Sequence, residues 1–215
     1  IRKLSTALDD KDPTALKKLL CATACPEKYR GKYQVGNHNQ CLPFTDGKNL
    51  LEKRLCKCLY YFNNSYPKNC AQCTFSNRFK IVGDYQIVDY EVPAYYGGEK
   101  SIGEIDLILR QGAVDYATEV KPYHKNNREP LLRMAAEILT YTLGYPPGKY
   151  QKAIAFFEKN RDDGTATAQQ LEYQAGSPLL FDLFKKAGIT VFRLEEAGPD
   201  AYRICKLPFT AGPAK

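Results

Sequence analysis

The sequence predicts an α/β fold in which helices flank a mixed central sheet. Alternating apolar and polar residues on both sides of Gly112 are typical of two strands joined by a tight turn. Helical and strand patterns then alternate towards the end of the chain, which is the order of an α/β protein. The composition, 44% hydrophobic and 26% charged, is ordinary for a globular protein, and 215 residues suffice for one sizeable core or two small ones.

Helices are predicted in the first part of the chain. A proline near the first turn and an apolar side predict a helix over residues 12–20. Leu51, Leu55 and Leu59 recur at helical spacing and predict a second helix over about 48–60.

The later elements follow from the same periodicities and from breaker residues. In chain order we expect one or two strands over 78–96, the two hairpin strands within 103–121, a helix over 129–143, a buried strand over 152–158, an exposed loop over 160–168, a helix over 178–187 ended by Gly188, and strands over 189–194 and 202–207.

The predicted hairpin concentrates charged side chains on one face. Side chains two positions apart on a strand share a face, so Glu104 lies with Asp106, and Glu119 lies with Lys121. A turn centred just after Gly112 places Asp106 opposite Glu119 and Glu104 opposite Lys121. The pattern therefore predicts a patch of three carboxylates and one amine.

Such a patch needs compensation for its negative charge. Carboxylates placed together repel and raise one another's pKa. A divalent cation removes this repulsion, and hard oxygen ligands suit Mg²⁺ or Mn²⁺. The alternative is a solvated sheet face, since polar residues at alternate strand positions commonly face water.

The order of these residues resembles the signature of the PD-(D/E)XK nuclease superfamily. That signature has an acid on one core strand and acid-x-Lys on the next, matched here by Asp106 and by Glu119 with Lys121. Ile105 stands where the signature has proline. The resemblance covers about residues 46–195 and implies a restriction-endonuclease-like core with the order αβββαβ.

The resemblance also implies a function, a metal-dependent nuclease that hydrolyses phosphodiester bonds, most naturally in DNA. It implies Asp106 and Glu119 as ligands of a catalytic Mg²⁺ or Mn²⁺. Lys121 would stabilise charge and position or help to deprotonate the attacking water. Glu104, or Glu52 on the preceding helix, would be a supplementary ligand. The alternative for Glu52 is an ion pair on a helix rich in Lys and Arg.

Two interpretations fit the helix that follows the motif. In the superfamily, this helix often presents a polar residue and a tyrosine towards the DNA or the active centre, and Glu137 and Tyr141 resemble that pair. Alternatively, Glu129, Arg133 and Glu137 form ion pairs at a spacing of four residues.

Positive charge is concentrated at the start of the chain. Through Lys80 there are 15 Lys and Arg against 6 Asp and Glu, within a net charge of +7. Such surfaces attract polyanions and give salt-sensitive nucleic-acid affinity, although lysine-rich helices are also often merely solvated. We therefore expect a basic, Cys-rich region over 1–80 that includes the first core helix, and the nuclease-like core over 81–215, with nucleic acid as partner.

Seven of the eight cysteines also precede residue 74. Cys56 with Cys58 and Cys70 with Cys73 form two close pairs separated by a loop, a layout that predicts a structural Zn²⁺ site. Disulfides, free thiols and an iron–sulfur cluster remain alternatives.

The sequence gives no sign of a membrane partner. No apolar run approaches the roughly 18 residues of a membrane span, and no signal peptide is visible, so we expect a cytoplasmic protein. The resemblance leaves a homodimer open. Two other classes remain: a non-catalytic module that binds nucleic acid or protein around a structural zinc, and a secreted disulfide-stapled protein.

Overall fold

The computed structural model describes residues 51–64, 79–95, 101–124, 126–143 and 145–209. The helix expected over 12–20, as well as Cys70 and Cys73, lies outside the described residues. The elements, in chain order, are α1 (Leu51–Asn64), β1 (Lys80–Val82), β2 (Tyr85–Tyr95), β3 (Ser101–Gln111), β4 (Val114–Lys121), α2 (Leu131–Thr142), β5 (Gln151–Phe157), α3 (Ala168–Ala175), α4 (Pro178–Ala187), β6 (Ile189–Gly198) and β7 (Ala201–Leu207).

The strands of the described residues form one seven-stranded mixed sheet in the order β1-β7-β6-β5-β4-β3-β2. Strands β4, β5 and β6 are parallel neighbours, as are β1 and β7, whereas β2–β3, β3–β4 and β6–β7 are antiparallel. This arrangement confirms the predicted α/β class and the mixed sheet flanked by helices.

The sheet is curled, because its two edge strands are consecutive in the chain. Only Gly83 and Asp84 separate β1 from β2, and so short a segment spans at most about 10 Å. The rings of Tyr85 in β2 and Phe192 in β6 are 5.1 Å apart, although three strands lie between them in the sheet order. The inside of the curl is therefore filled by side chains from distant strands.

One core lies between α1 and the sheet. Leu55, Cys56 and Leu59 of α1 are fully buried there. Aromatic side chains supply most of the volume on the sheet side, and they are Phe79, Tyr85, Tyr90, Tyr116, Tyr123, Phe157, Phe192 and Tyr202. These contacts explain why α1 has its apolar stripe at the predicted spacing.

A second core lies between helices α2 and α4 and the sheet side chains that do not face α1. Leu131, Met134 and Ile138 of α2 are fully buried, and Phe184 of α4 packs in the same cluster. Two helices thus cover one set of sheet residues while α1 covers the other.

Helix α4 follows the sequence prediction closely. Ser177 caps its N-terminus by accepting a hydrogen bond from the Leu180 N–H, and Pro178 occupies the first turn. Gly188 ends the helix in the left-handed conformation, as expected. Within the described ranges, no helix has the length and apolar character to cross a membrane.

Helix α3 follows the predicted loop over 160–168 and was not predicted, because residues 168–175 carry no apolar stripe at helical spacing. The helix has only eight residues, and its two buried residues are Gln169 and Gln170 rather than apolar ones. Its caps, Thr167 and a left-handed Gly176, are standard, but without an apolar stripe they gave no visible signal.

Candidate metal centre

The predicted hairpin register is confirmed over five residue pairs. Strands β3 and β4 pair from Gln111 with Val114 to Leu107 with Thr118, and the ladder ends there. Beyond this point the Asp106 side chain accepts a hydrogen bond from the Val120 N–H at 2.8 Å. A side-chain oxygen rather than a β3 carbonyl therefore satisfies this N–H, and the Asp106 carboxylate is fixed against β4.

Three acids from three elements meet at this point. Glu52 lies in the first turn of α1, Asp106 in β3 and Glu119 in β4, and one carboxylate oxygen from each lies within 4.8 Å of the others. Glu119 is 2% exposed and Asp106 is 9% exposed, while the Glu52 side chain is half-buried. We call these three residues the acidic triad.

Lys121 contacts two members of this acidic triad. Its Nζ donates to Glu119 Oε1 at 2.6 Å and to Glu52 Oε2 at 3.0 Å. Two further carboxylates lie close, Glu129 Oε1 at 3.2 Å and Glu137 Oε2 at 3.3 Å. Because Lys121 is only 4% exposed, its charge is balanced by these acids rather than by water.

The ion pairs predicted for α2 form. Arg133 Nε lies 3.1 Å from Glu137 Oε1 and 3.5 Å from Glu129 Oε1. The same two acids also contact Lys121, so the first interpretation of this helix, in which a polar residue is directed to the centre, also describes the position of Glu137. The contact between Glu129 and Lys121 was not predicted, since the sequence pattern linked Glu129 only to Arg133.

Tyr141 packs beside this group of charges. A Cβ on Gly103 would lie less than 3.0 Å from three atoms of the Tyr141 side chain, so the ring requires glycine at that position of β3. Burial raises the pKa of Tyr141, and the charges of Glu119 and Glu137 raise it further, which keeps its hydroxyl neutral.

The described centre carries more negative than positive charge. Five carboxylates surround it, those of the acidic triad, Glu129 and Glu137, against the two cations Lys121 and Arg133, which leaves a formal excess of three negative charges. Such an excess of buried negative charge shifts the pKa values of the carboxyl groups in the centre.

Burial and mutual repulsion raise the pKa of the two buried acids. Burial first, then the charge of Glu52, raises the pKa of Asp106 to about 8, against the opposing Val120 N–H and Lys121. Burial and Asp106 raise the pKa of Glu119 well above its usual range. For Lys121, burial lowers the pKa, but the charge and hydrogen bond of Glu119 outweigh it, and the amine stays cationic.

The acidic triad fits a hard divalent cation. With the carboxylates ionised, Oε2 of Glu119 is buried without a hydrogen-bond donor among the described residues. An unsatisfied buried carboxylate oxygen is costly. A donor set made only of carboxylate oxygens suits a hard divalent metal rather than a soft one.

Glu104, predicted as a supplementary ligand, does not join the acidic triad. Its carboxylate pairs with Lys53 Nζ at 2.5 Å, and in the sheet it lies opposite Pro93 of β2. The predicted pairing of Glu104 with Lys121 does not form, because the β3–β4 ladder ends before reaching it.

The predicted zinc site lies only half within the described residues. Cys56 is buried in α1, and burial raises its thiol pKa well above the usual value. Cys58 is two positions further along the same helix, and side chains at that spacing do not face each other. The helix therefore offers no pair of sulfurs on one side, and zinc coordination with Cys70 and Cys73 stays a prediction.

Comparisons with known proteins do not assign the chain to a family. No family model matches it, and no curated protein matches it. Among solved structures it is similar to that of Pyrococcus furiosus SfsA in complex with Ca²⁺, at 14% identity and a TM-score of 0.28. The likeness covers 57% of this chain and 53% of that one, so the chain spans about half the length of that protein. At this TM-score the likeness carries no argument about function.

Proposed function

We propose that this protein is a metal-dependent nuclease that hydrolyses phosphodiester bonds, with DNA as its substrate. The observation that supports this most is the meeting of the acidic triad at one point with Lys121 against it. Gathering acids from a helix and two strands is unfavourable because the carboxylates repel one another, and a bound divalent cation would offset this repulsion.

The order of the elements supports the same proposal. With the three-residue strand β1 set aside, helix α1, strands β2 to β4, helix α2 and strand β5 give the order αβββαβ that the PD-(D/E)XK resemblance implies. The acid of the signature is Asp106 in β3, and Glu119 with Lys121 supplies acid-x-Lys in β4. Glu52 takes the place of the acid that the superfamily commonly carries on the first helix.

In this proposal the acidic triad holds Mg²⁺ or Mn²⁺. When bound, such an ion supplies positive charge for the developing charge on the phosphate and lowers the pKa of water. The residues of the protein itself position the metal ligands. The Val120 N–H and the surrounding core hold Asp106 and Glu119 in place, so little reorganisation is needed at the moment of reaction.

Lys121 has its own part in the proposed chemistry. Its ammonium is held cationic by the neighbouring carboxylates and keeps three donor protons, which it directs to Glu119, to Glu52 and to any phosphate oxygen that approaches. We assign it to charge stabilisation and to orienting the attacking water.

The basic character of the chain favours a polyanionic substrate. Its net charge of +7 attracts nucleic acid over the Debye length, while the acidic centre itself repels phosphate until a cation neutralises it. Nucleic acid is thus expected to reach the centre productively only with metal present.

A cleavage assay tests the proposal. Plasmid, linear duplex, single-stranded DNA and RNA are incubated with purified protein and Mg²⁺ or Mn²⁺, with EDTA as the negative control. We expect metal-dependent cleavage that Asp106→Asn, Glu119→Gln or Lys121→Met lowers by at least about 100-fold, as for groups that stabilise a transition state.

The matched control is Asp115→Asn, which removes a carboxylate from the same hairpin. Asp115 pairs with Arg110 near the turn and has no contact with the acidic triad, so activity should be retained. Folding of every variant is checked by circular dichroism. Binding of nucleic acid without any metal-dependent cleavage would instead favour a non-catalytic binding module, and full activity in the triple variant would exclude this centre as the active site.

A further inference from the structure

Lys121 has two sets of carboxylate neighbours with different positions in the fold. Glu52 and Glu119 belong to the acidic triad. Glu129 and Glu137 come from the segment before α2 and from α2 itself. A cation bound by the acidic triad shares the charge of Glu52 and Glu119, so these two acids balance less of the Lys121 charge.

A bound cation also repels the ammonium, because both charges are positive and close together. Glu119 Oε1 keeps its contact with Lys121, because Oε2 is the oxygen left open for a cation, but Glu129 and Glu137 are the carboxylates against Lys121 whose charge no bound cation shares. Arg133 contacts both acids and thereby links Glu129, in the segment before α2, to Glu137 on the helix. Because Arg133 itself is 65% exposed, most of its charge is screened by water and does not cancel theirs.

Glu129 is held by side chains from outside α2. Its backbone N–H donates to Asn127 Oδ1 at 3.1 Å, and its carbonyl accepts from Gln169 Nε2 at 2.7 Å. Gln169 is buried in α3 and makes no contact with the acidic triad among its described hydrogen bonds. A buried polar side chain whose hydrogen bonds fix one acidic residue is expected to set the position of that residue.

We propose that Glu129 and Glu137 are positioning residues that hold the Lys121 ammonium in place when a cation occupies the acidic triad, and that Gln169 fixes Glu129 for this task. The inference rests on the proposed function, since the role of Lys121 matters only in a reaction. The acid-x-Lys motif alone does not include these residues. The inference therefore gives side chains of α2 and α3 a role in positioning Lys121.

The kinetic test uses Glu129→Gln, Glu137→Gln and Gln169→Ala in the full chain. We expect kcat to fall about 10–100-fold, the usual range for groups that orient a functional residue. KM for DNA and the half-saturating Mn²⁺ concentration should change little. The matched control for Gln169→Ala is Gln174→Ala, an exposed glutamine on the same helix, which should leave activity unchanged. If saturating Mn²⁺ restores kcat, these acids act as metal ligands and the proposal is wrong.

A double-mutant cycle tests the same contact without any cleavage. Lys121→Met, Glu137→Gln and the double variant are unfolded with denaturant, in EDTA and again with Mn²⁺. We expect a coupling of about tenfold or more in the unfolding equilibrium constant, which persists with Mn²⁺. Additive effects would overturn the positioning role even in an active enzyme. A coupled pair in a protein without metal-dependent cleavage would support the positioning of the ammonium and reject the proposed function instead.

Discussion

Asp106 combines a structural and a chemical role in one side chain. Its carboxylate completes the hydrogen bonding of β4 by accepting the Val120 N–H, and it also contributes an oxygen to the acidic triad. Such a residue is difficult to replace, because even an isosteric amide changes both the charge and the available lone pairs. The protein tolerates this buried acid by raising its pKa.

The raised pKa values predict how stability depends on pH without metal. Asp106 has a pKa of about 8 in the folded protein against 3.8 ordinarily, so the folded state binds more protons than the unfolded state between these values. Stability therefore falls as pH rises through this window, by at most about 1.4 kcal/mol per pH unit for one such group. Thermal melts in EDTA from pH 5 to pH 8.5 measure the effect.

Divalent metal should reverse this trend, because the ion binds the deprotonated carboxylates. The rise in melting temperature on adding Mn²⁺ is expected to grow with pH and to be largely lost in Asp106→Asn. Asp115→Asn, with an exposed ion pair on the same hairpin, serves as control. An equal Mn²⁺ effect at both ends of the pH range would show that the ion binds elsewhere.

At the scale of elements, α2 depends on α3 for its N-terminus. Pro130 precedes the helix and provides no side-chain cap, and the Leu131 N–H instead donates to Glu172 Oε2 of α3 at 2.8 Å. A carboxylate from α3 thus caps α2. Its negative charge also interacts favourably with the positive, N-terminal end of the α2 dipole. This contact links the helix that carries Glu137 to the rest of the second core.

Removing this remote cap should weaken the protein measurably. Glu172→Ala is expected to lower the free energy of unfolding by about 0.5–2 kcal/mol, the range for loss of an N-cap. Gln174→Ala on the exposed side of α3 is the control and should change stability little. Denaturant unfolding followed by circular dichroism gives both values, and equal stability of the two variants would contradict a capping role for Glu172.

At the scale of the whole molecule, the curl of the sheet brings together residues that its strand order keeps apart. Phe192 in β6 contacts Tyr85 of β2 at 5.1 Å and Tyr116 of β4 at 5.2 Å between ring centroids. These edge-to-face contacts close the aromatic core beneath α1, the helix that carries Glu52. The position of the acidic triad therefore depends on packing well away from it.

Phe192→Ala should accordingly be among the most damaging single substitutions. Loss of this fully buried ring is expected to cost about 3–5 kcal/mol in the free energy of unfolding, because a cavity remains between three strands. Leu179→Ala, on the exposed side of α4, is the control with little expected effect. Chemical denaturation distinguishes the two, and a loss for Phe192→Ala no larger than that for Leu179→Ala would argue against the closed curl.

Local pattern in the sequence determined the hairpin and its register, the helices around Leu55 and Ile138, and the end of α4 at Gly188. It also indicated Asp106, Glu119 and Lys121 as one group, because residues on paired strands are placed by periodicity and turn geometry alone. Helix α3 gave no such signal, since its buried side chains include two glutamines.

The tertiary structure alone decided which other acids reach Lys121. Glu52 and Glu129 lie against it, whereas Glu104, on the neighbouring strand of the hairpin, pairs with Lys53. The physical reason is that the β3–β4 ladder ends at Leu107 and helices dock on both sides of the sheet. Where a ladder ends and where a helix docks depend on packing between distant segments, which local periodicity does not encode.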